Sequence, residues 1–479
     1  MNPRVIARFV GLLLLVEAVF MATSLAWTIA DGEAIAGFVI SAGLTAVAGV
    51  ALRGFGRQSQ EYITPREAIA TVGLGWVLVG VFGALPYLFE GAFSHPADAL
   101  FESISGFTTT GASALRDIEG LPRGLLWWRS LTQWLGGMGI IVLFIAIFPR
   151  LGLGAGYLFK SEVPGPITER LRPKLRHTSL ILWYVYLGIT AALAVALFIC
   201  GVSPFASACH AFTTMATGGY STLNSSIGGY GSVAVEMVVM FFMFLAGVNF
   251  SLYYRLVQGD TRTVWRDREL RTYIIIMGLA TLLVTVAILP SKAGLGEALR
   301  YGSFHVVSLQ TTTGFGTDDF DTYPHFARLL LVGLMFVGGS AGSTAGGIKI
   351  ARFLVLGRAL ANQLYKSFHP RAVLAVRIGA TPVESDTVRA VCIFFATFIG
   401  LFFLGALLLT LFGIDLVTAG TASIACLANI GPGLALVGPT QNYAFVPGVG
   451  KIILSILMIL GRLEILTILA LLVPSFWRR

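Results

Sequence analysis

Four short polar segments ending in glycine are the residues of this chain best suited to chemistry. They read Thr108-Thr109-Thr110-Gly111-Ala112-Ser113, Ala216-Thr217-Gly218-Gly219-Tyr220-Ser221, Thr311-Thr312-Thr313-Gly314-Phe315-Gly316 and Ala428-Asn429-Ile430-Gly431-Pro432-Gly433. Glycine adopts positive φ without steric cost, so a strand of this kind can turn successive carbonyl oxygens toward one axis. Four such strands around an axis can replace the hydration shell of a cation. The expected coordinating set is Thr109, Thr110 and Gly111; Ala216, Thr217 and Gly218; Thr312, Thr313 and Gly314; and Asn429, Ile430 and Gly431. The competing reading is that Thr and Gly only allow close helix packing. Four repeats argue for the ring, because packing alone does not require the same motif each time.

Elements that could position such strands are plain in the composition. With 56% apolar and 12% charged residues among 479, the chain departs far from a soluble average of about 25% charged. Ten apolar stretches are long enough to span a bilayer, near 8–30, 34–54, 66–90, 124–149, 178–201, 232–254, 272–290, 326–360, 387–413 and 451–475. Shorter apolar runs, 97–107, 205–214, 296–310 and 417–427, lead directly into the four hairpins. A helix of that length rises only about 15 to 22 Å against a hydrocarbon core of about 30 Å. These runs are expected to enter the membrane and return, or to lie at its interface.

Arg and Lys gather on one side of these spans, which by the positive-inside rule places both termini in the cytoplasm and opens every hairpin outward. The net charge of +9 is thereby assigned to orientation, and nucleic-acid binding is the poorer reading. The first apolar run feeds directly into a second and is read as an anchor, with no cleavable signal. Cys200, Cys209, Cys392 and Cys426 lack metal-ligand spacing and are read as packing residues. No motif for hydrolysis or nucleotide binding stands out, so the chain is not read as an enzyme. His210 and His305 fall on the short runs, without partners in sequence that would make a metal site.

The eighth span is too long for one crossing. Its middle, from Gly338 and Gly339 through Ser340, Gly342, Ser343 and Thr344 to Gly346 and Gly347, contains only small residues. Each glycine disfavours helix by about 1 kcal/mol, and a break at membrane depth is tolerated only beside a cavity or inside protein. The expectation is an intramembrane loop that obstructs a pore, framed by Lys349 and Arg462; the alternative is a small-residue packing face. A buried Arg costs at least about 2.5 kcal/mol on insertion scales, so Arg462 should face water or a partner. Glu464, two residues on, points elsewhere on a helix and is not that partner. Glu17 and Arg129 are read as structural. Asp318, Asp319 and Asp321 would either concentrate cations near the third hairpin or form a solvated loop.

The four hairpins, the run Arg129-Ser130-Leu131-Thr132-Gln133-Trp134-Leu135-Gly136-Gly137-Met138-Gly139, residues 338–352 and Gly461-Arg462-Leu463-Glu464 together resemble the TrkH branch of the Trk/Ktr/HKT superfamily of potassium transporters. The resemblance covers essentially the whole chain. It implies an all-α integral membrane protein of four fused membrane-pore-membrane modules around a pseudo-fourfold pore, preceded by two extra transmembrane helices. The expected divisions are 1–60 for the extra helices, then modules at 61–155, 156–260, 261–375 and 376–479, with only the third carrying a broken second helix.

The resemblance further implies potassium as the transported ion, no organic cofactor, a homodimer, and a cytoplasmic ring of nucleotide-binding regulatory subunits. The basic loops 150–176, 255–271 and 352–377 are the candidate contacts for that ring. In this family serine often replaces the first filter glycine of sodium-conducting relatives, so glycine at 111, 218, 314 and 431 favours potassium. Asn429 and Ile430 make the fourth wall unlike the others, and Asn429 either shapes the pore or only bonds a neighbouring hairpin. A gated, channel-like path and a symporter coupled to protons or sodium both fit. The implied location is the bacterial-type cytoplasmic membrane.

Overall fold

The computed structural model describes residues 1–57, 63–139, 175–378 and 381–477. The described residues are mostly helical; among them one two-residue ladder pairs Arg377 with Pro382 and Ile378 with Thr381. Among the described residues, six helices are continuous and long enough to cross a membrane: Pro3–Ala30, Ala36–Phe55, Pro65–Phe89, Leu180–Ile199, Arg268–Ser291 and Ser385–Thr410. Large apolar side chains stand exposed along them, including Val47, Ile199, Val286 and Leu407. Such a surface is suited to hydrocarbon, where burying it in water-excluded lipid replaces burial in a core.

Pro3–Ala22 and Ala36–Phe55 form an antiparallel pair that precedes the repeats. The two backbones touch, since a side chain at Gly11 or Gly49 would collide with the carbonyl oxygen of the other, the close approach that small residues permit between membrane helices. Pro65–Gly83, opened by a Thr64/Glu67 capping box, packs on the first of the pair.

Each repeat then consists of an outer helix, a short helix, a hairpin and an inner helix. The short helices are Pro96–Phe107, Pro204–Met215, Leu295–Gln310 and Leu416–Leu427. Proline in the first turn starts two of them, and capping side chains hold two: Ser203 accepts from the Ala206 amide, and Asp415 from those of Val417 and Thr418. These devices satisfy helix-end amides that would otherwise lack acceptors.

The inner helices correct the expectation of four spans with one break. Val233–Ala246 and Phe250–Val257 meet at 94°, with Asn249 capping the second piece by accepting from the Ser251 amide. His325–Phe336 and Ile350–Phe368 are separated by the glycine-rich loop. Gly448–Arg462 stops at Glu464 and Ile465, whose φ angles of 59° and 46° are foreign to a helix. The first inner helix is described as Arg123–Gly137; the rest of its expected span, 140–149, lies outside the described residues. Among the described residues three inner helices are therefore interrupted, and the break in the third is distinct in length and composition rather than in existence.

Candidate functional site: four hairpins above an intramembrane loop

All four hairpins share one backbone conformation. Thr109, Thr217, Thr312 and Asn429 have φ of 56°, 52°, 58° and 56°, a left-handed conformation uncommon for residues with side chains. The next residues, Thr110, Gly218, Thr313 and Ile430, each donate an amide hydrogen bond of 2.8 to 2.9 Å to the carbonyl five positions back, on Ser105, Thr213, Ser308 and Ala425. Left-handed glycines follow, with φ of 80° at Gly111, 77° at Gly219, 81° at Gly314 and 98° at Gly431.

This register corrects the second hairpin. The counterpart of Gly111, Gly314 and Gly431 is Gly219, not Gly218, and the counterpart of Thr109 is Thr217. Ala216 is the residue that caps the short helix, matching Thr108, Thr311 and Ala428. Threonine consequently precedes the left-handed glycine in two walls, with Gly218 and Ile430 in the others.

The four hairpins close a ring. A side chain at Gly111 would strike the Gly218 carbonyl oxygen, one at Gly219 that of Thr313, and one at Gly314 that of Ile430. At Gly431 the same construction meets the Thr110 carbonyl oxygen at 2.7 Å. Each left-handed glycine is thus packed on the preceding carbonyl of the next wall, in the cyclic order first, second, third, fourth, first.

Side chains behind the ring hold it. Gln133 Nε2 donates to the Gly218 carbonyl at 2.7 Å and Gln133 Oε1 accepts from the Tyr220 amide at 3.1 Å. The Tyr443 hydroxyl donates to the Gly431 carbonyl at 2.7 Å. Asn429 Nδ2 donates to Thr110 Oγ1 and to the Met458 carbonyl, both at 3.0 Å, so Asn429 bonds the neighbouring hairpin and its own inner helix together. Arg129, read from sequence only as structural, pairs with Glu102 at 2.8 Å, donates to the Ser221 carbonyl at 2.9 Å and lies 3.5 Å from the centre of the Tyr220 ring. The buried pair links the first short helix, the first inner helix and the second hairpin.

One further relationship escaped sequence reading. Glu102, His210, His305 and Ala422 occupy the same place, six residues before the cap of their short helices. In the first two walls this residue reaches a serine beyond the glycine: Ser113 Oγ donates to Glu102 at 2.9 Å, and His210 Nε2 lies 3.0 Å from Ser221 Oγ. Gly316 and Gly433 stand at the serine positions of the other two walls. Glu102 and His210 are therefore braces, a role visible only once the hairpins are superposed in register.

The glycine-rich loop lies against the same ring. The Gly346 amide donates to Thr312 Oγ1 at 2.6 Å, and a side chain at Gly346 would strike the Ala428 carbonyl oxygen. A parallel bridge between Val337 and Ile348 closes the loop at its base, beside Gly338 and Gly347. Ser340 donates its amide to Gly247 at 2.9 Å, Thr344 Oγ1 donates to the Ala246 carbonyl at 3.1 Å, and the Phe250 amide donates to Gly342 at 3.0 Å. The bend in the second inner helix is thus the seat of the loop. Within it, Ser343 Oγ bonds the Ser340 carbonyl at 2.6 Å and Gly339 accepts from the Ile350 amide at 3.2 Å.

Two cations frame the loop. Arg462 donates to the Thr344 carbonyl at 3.0 Å and to the carbonyls of Gly136 and Gly137 at the end of the first inner helix. Buried Lys349 donates to the Ala345 carbonyl. Glu464 pairs with Arg352. The acidic cluster near the third hairpin is internally partnered: Asp318 pairs with Lys292, Asp321 with Arg328 at 2.7 Å, and Asp319 accepts from the Asp321 amide at 3.0 Å. Burial pushes the Asp318 carboxyl up, but the Lys292 ammonium, the Asp319 amide and the Tyr323 hydroxyl together hold the group below the usual carboxylate range.

The family model for TrkH, described as a cation transport protein, matches residues 38–479. This chain belongs to the TrkH family. It is 37% identical to the Trk system potassium uptake protein TrkH of Halomonas elongata, with 100% of each chain covered. The protein of the same name from Vibrio parahaemolyticus is 36% identical, again over 100% of both. The crystal structure of the potassium transporter TrkH from Vibrio parahaemolyticus superposes with a TM-score of 0.90 at 35% identity, covering 100% of both chains. These TrkH relatives are transport proteins rather than enzymes, and the chain shares with them an all-α membrane fold over its full length.

Proposed function

We propose that this chain takes up potassium across the bacterial cytoplasmic membrane through the axis enclosed by its four hairpins, as a selective, channel-like path gated by the loop at 338–349. The observation that carries this reading is the closed cycle of left-handed glycines, each seated on a carbonyl of the next wall. Backbone carbonyls turned to such an axis can replace ion hydration, and the C-terminal ends of four short helices add negative potential at the same place. The loop rests on Thr312 beneath the ring, and Arg462 and Lys349 put positive charge beside it. A cation leaving the ring meets both an obstruction and a repulsive field. The relatives are named potassium uptake proteins, which supports potassium as the ion carried.

The Arg and Lys distribution supports a cytoplasmic location for both termini. The reading includes a homodimer and a cytoplasmic nucleotide-binding regulatory ring. In support, Ile350–Phe368 continues directly from the loop and carries Leu360, Leu364 and Phe368 largely exposed beside Arg358 and Lys366, a surface suited to a partner that moves the loop. The candidate ring contact at 150–176 lies mostly outside the described residues.

Growth complementation tests the reading. In a bacterium stripped of its own potassium uptake systems but retaining the regulatory subunit, the chain should restore growth at low potassium. Absence of rescue with the protein present in the membrane would overturn it.

A further inference from the structure

Glu269 is the second residue of the third outer helix, Arg268–Ile288, and lies within the basic stretch 255–271. The structure joins it to the glycine-rich loop. Its Oε1 accepts the Ala341 amide at 2.6 Å and the Ala351 amide at 3.1 Å. Ala341 lies in the glycine-rich loop and Ala351 in the first turn of the helix that follows it. One carboxylate oxygen therefore ties the loop to that helix, with residues 342–350 between the two bonds.

Both bonds are of a kind that a moving element would lose together. First-turn amides such as that of Ala351 have no acceptor within their own helix, and a carboxylate at a helix N-terminus is favoured by the helix dipole. A local cap for Ile350–Phe368 would need only the Ala351 bond; the shorter bond to Ala341 serves the loop. The remaining tethers to the second inner helix come from the loop itself or from backbone at the bend. Glu269 reaches the loop from an outer helix that belongs to the continuous frame.

We infer that Glu269 is a positioning residue that latches the intramembrane loop in its closed arrangement. The inference rests on the reading of the loop as a gate. Arg462 holds the loop at Thr344, and Glu269 ties Ala341 of the loop to Ala351 of the helix that follows it.

The test is rubidium or potassium flux through the full-length protein in liposomes. Glu269→Ala should raise flux about tenfold, the order by which losing hydrogen bonds to a charged acceptor shifts an equilibrium. Glu269→Gln keeps the Oε1 acceptor and should stay within about threefold of the parent, since only the charge assistance is lost. Glu269→Ala should add nothing in a chain from which 339–346 has been deleted, a non-additivity that a merely structural role would not produce. Should the Ala variant fail to fold, Glu269→Asp, too short to reach both amides, should also raise flux. Unchanged or lower flux in the folded Ala or Asp variant, with raised flux in the deletion, would overturn the latch and leave the gate. Unchanged flux in the deletion would overturn the gate reading itself, and the latch with it.

Discussion

The Gly346 amide donates a 2.6 Å hydrogen bond to Thr312 Oγ1. Thr312 is the left-handed residue of the third hairpin and Gly346 belongs to the glycine-rich loop, so the loop and the ring are in direct contact with no layer between them. Shortening the loop by deleting part of 339–346 should therefore raise ion flux in liposomes while the protein remains monodisperse. Unchanged flux in a folded deletion would refute the gate.

Arg462 joins the loop to the end of the first inner helix through the carbonyls of Thr344, Gly136 and Gly137. Arg462→Gln removes the charge and leaves a shorter donor. Flux should rise by about tenfold or more, given about 1.5 to 3 kcal/mol for hydrogen bonds to charged groups. Flux at the parent level would show that the contact does not bias the loop.

The second hairpin offers a test of register. Gly219 has φ of 77° and abuts the Thr313 carbonyl, whereas Gly218 faces the Gln133 side chain. Gly219→Ser places a side chain in a conformation costing about 1 to 3 kcal/mol and pushes a neighbouring wall carbonyl. Discrimination between potassium and sodium should fall more in Gly219→Ser than in Gly218→Ser, measured as relative permeability. The opposite order would place the ring glycine at 218.

Glu102 and Arg129 form a pair with 0% and 3% side-chain exposure. Arg129→Met leaves the carboxylate buried without its cation, a change that costs about 3 to 5 kcal/mol where measured in other proteins. Thermal unfolding in detergent should shift down by several degrees, and adding Glu102→Leu should recover part of the loss. A midpoint unchanged in Arg129→Met would contradict the structural role.

The outer helices and the short helices were legible in sequence because runs of about 20 or about 12 apolar residues separate them by length alone. The loop was legible because five glycines cannot hold a helix. The bend at Asn249 and the break at Glu464 and Ile465 were not. Ile465 is β-branched, and nothing in Gly461-Arg462-Leu463-Glu464-Ile465 announces a φ of 46°; packing, with Ile465 fully buried, overrides local preference. The doublet Gly218-Gly219 left the second register ambiguous, since either glycine tolerates positive φ and only the neighbouring wall decides. Glu269 stayed hidden because its partners are backbone amides some 70 to 80 positions away, and amides carry no sequence signature.

A passive potassium path through the ring has a distinct electrical signature. The most direct measurement is the reversal potential of purified protein in a planar bilayer, with independent potassium, sodium and proton gradients. A passive path gives a reversal potential that follows the potassium gradient and ignores the other two. A shift with the proton or sodium gradient would contradict it and favour coupled transport.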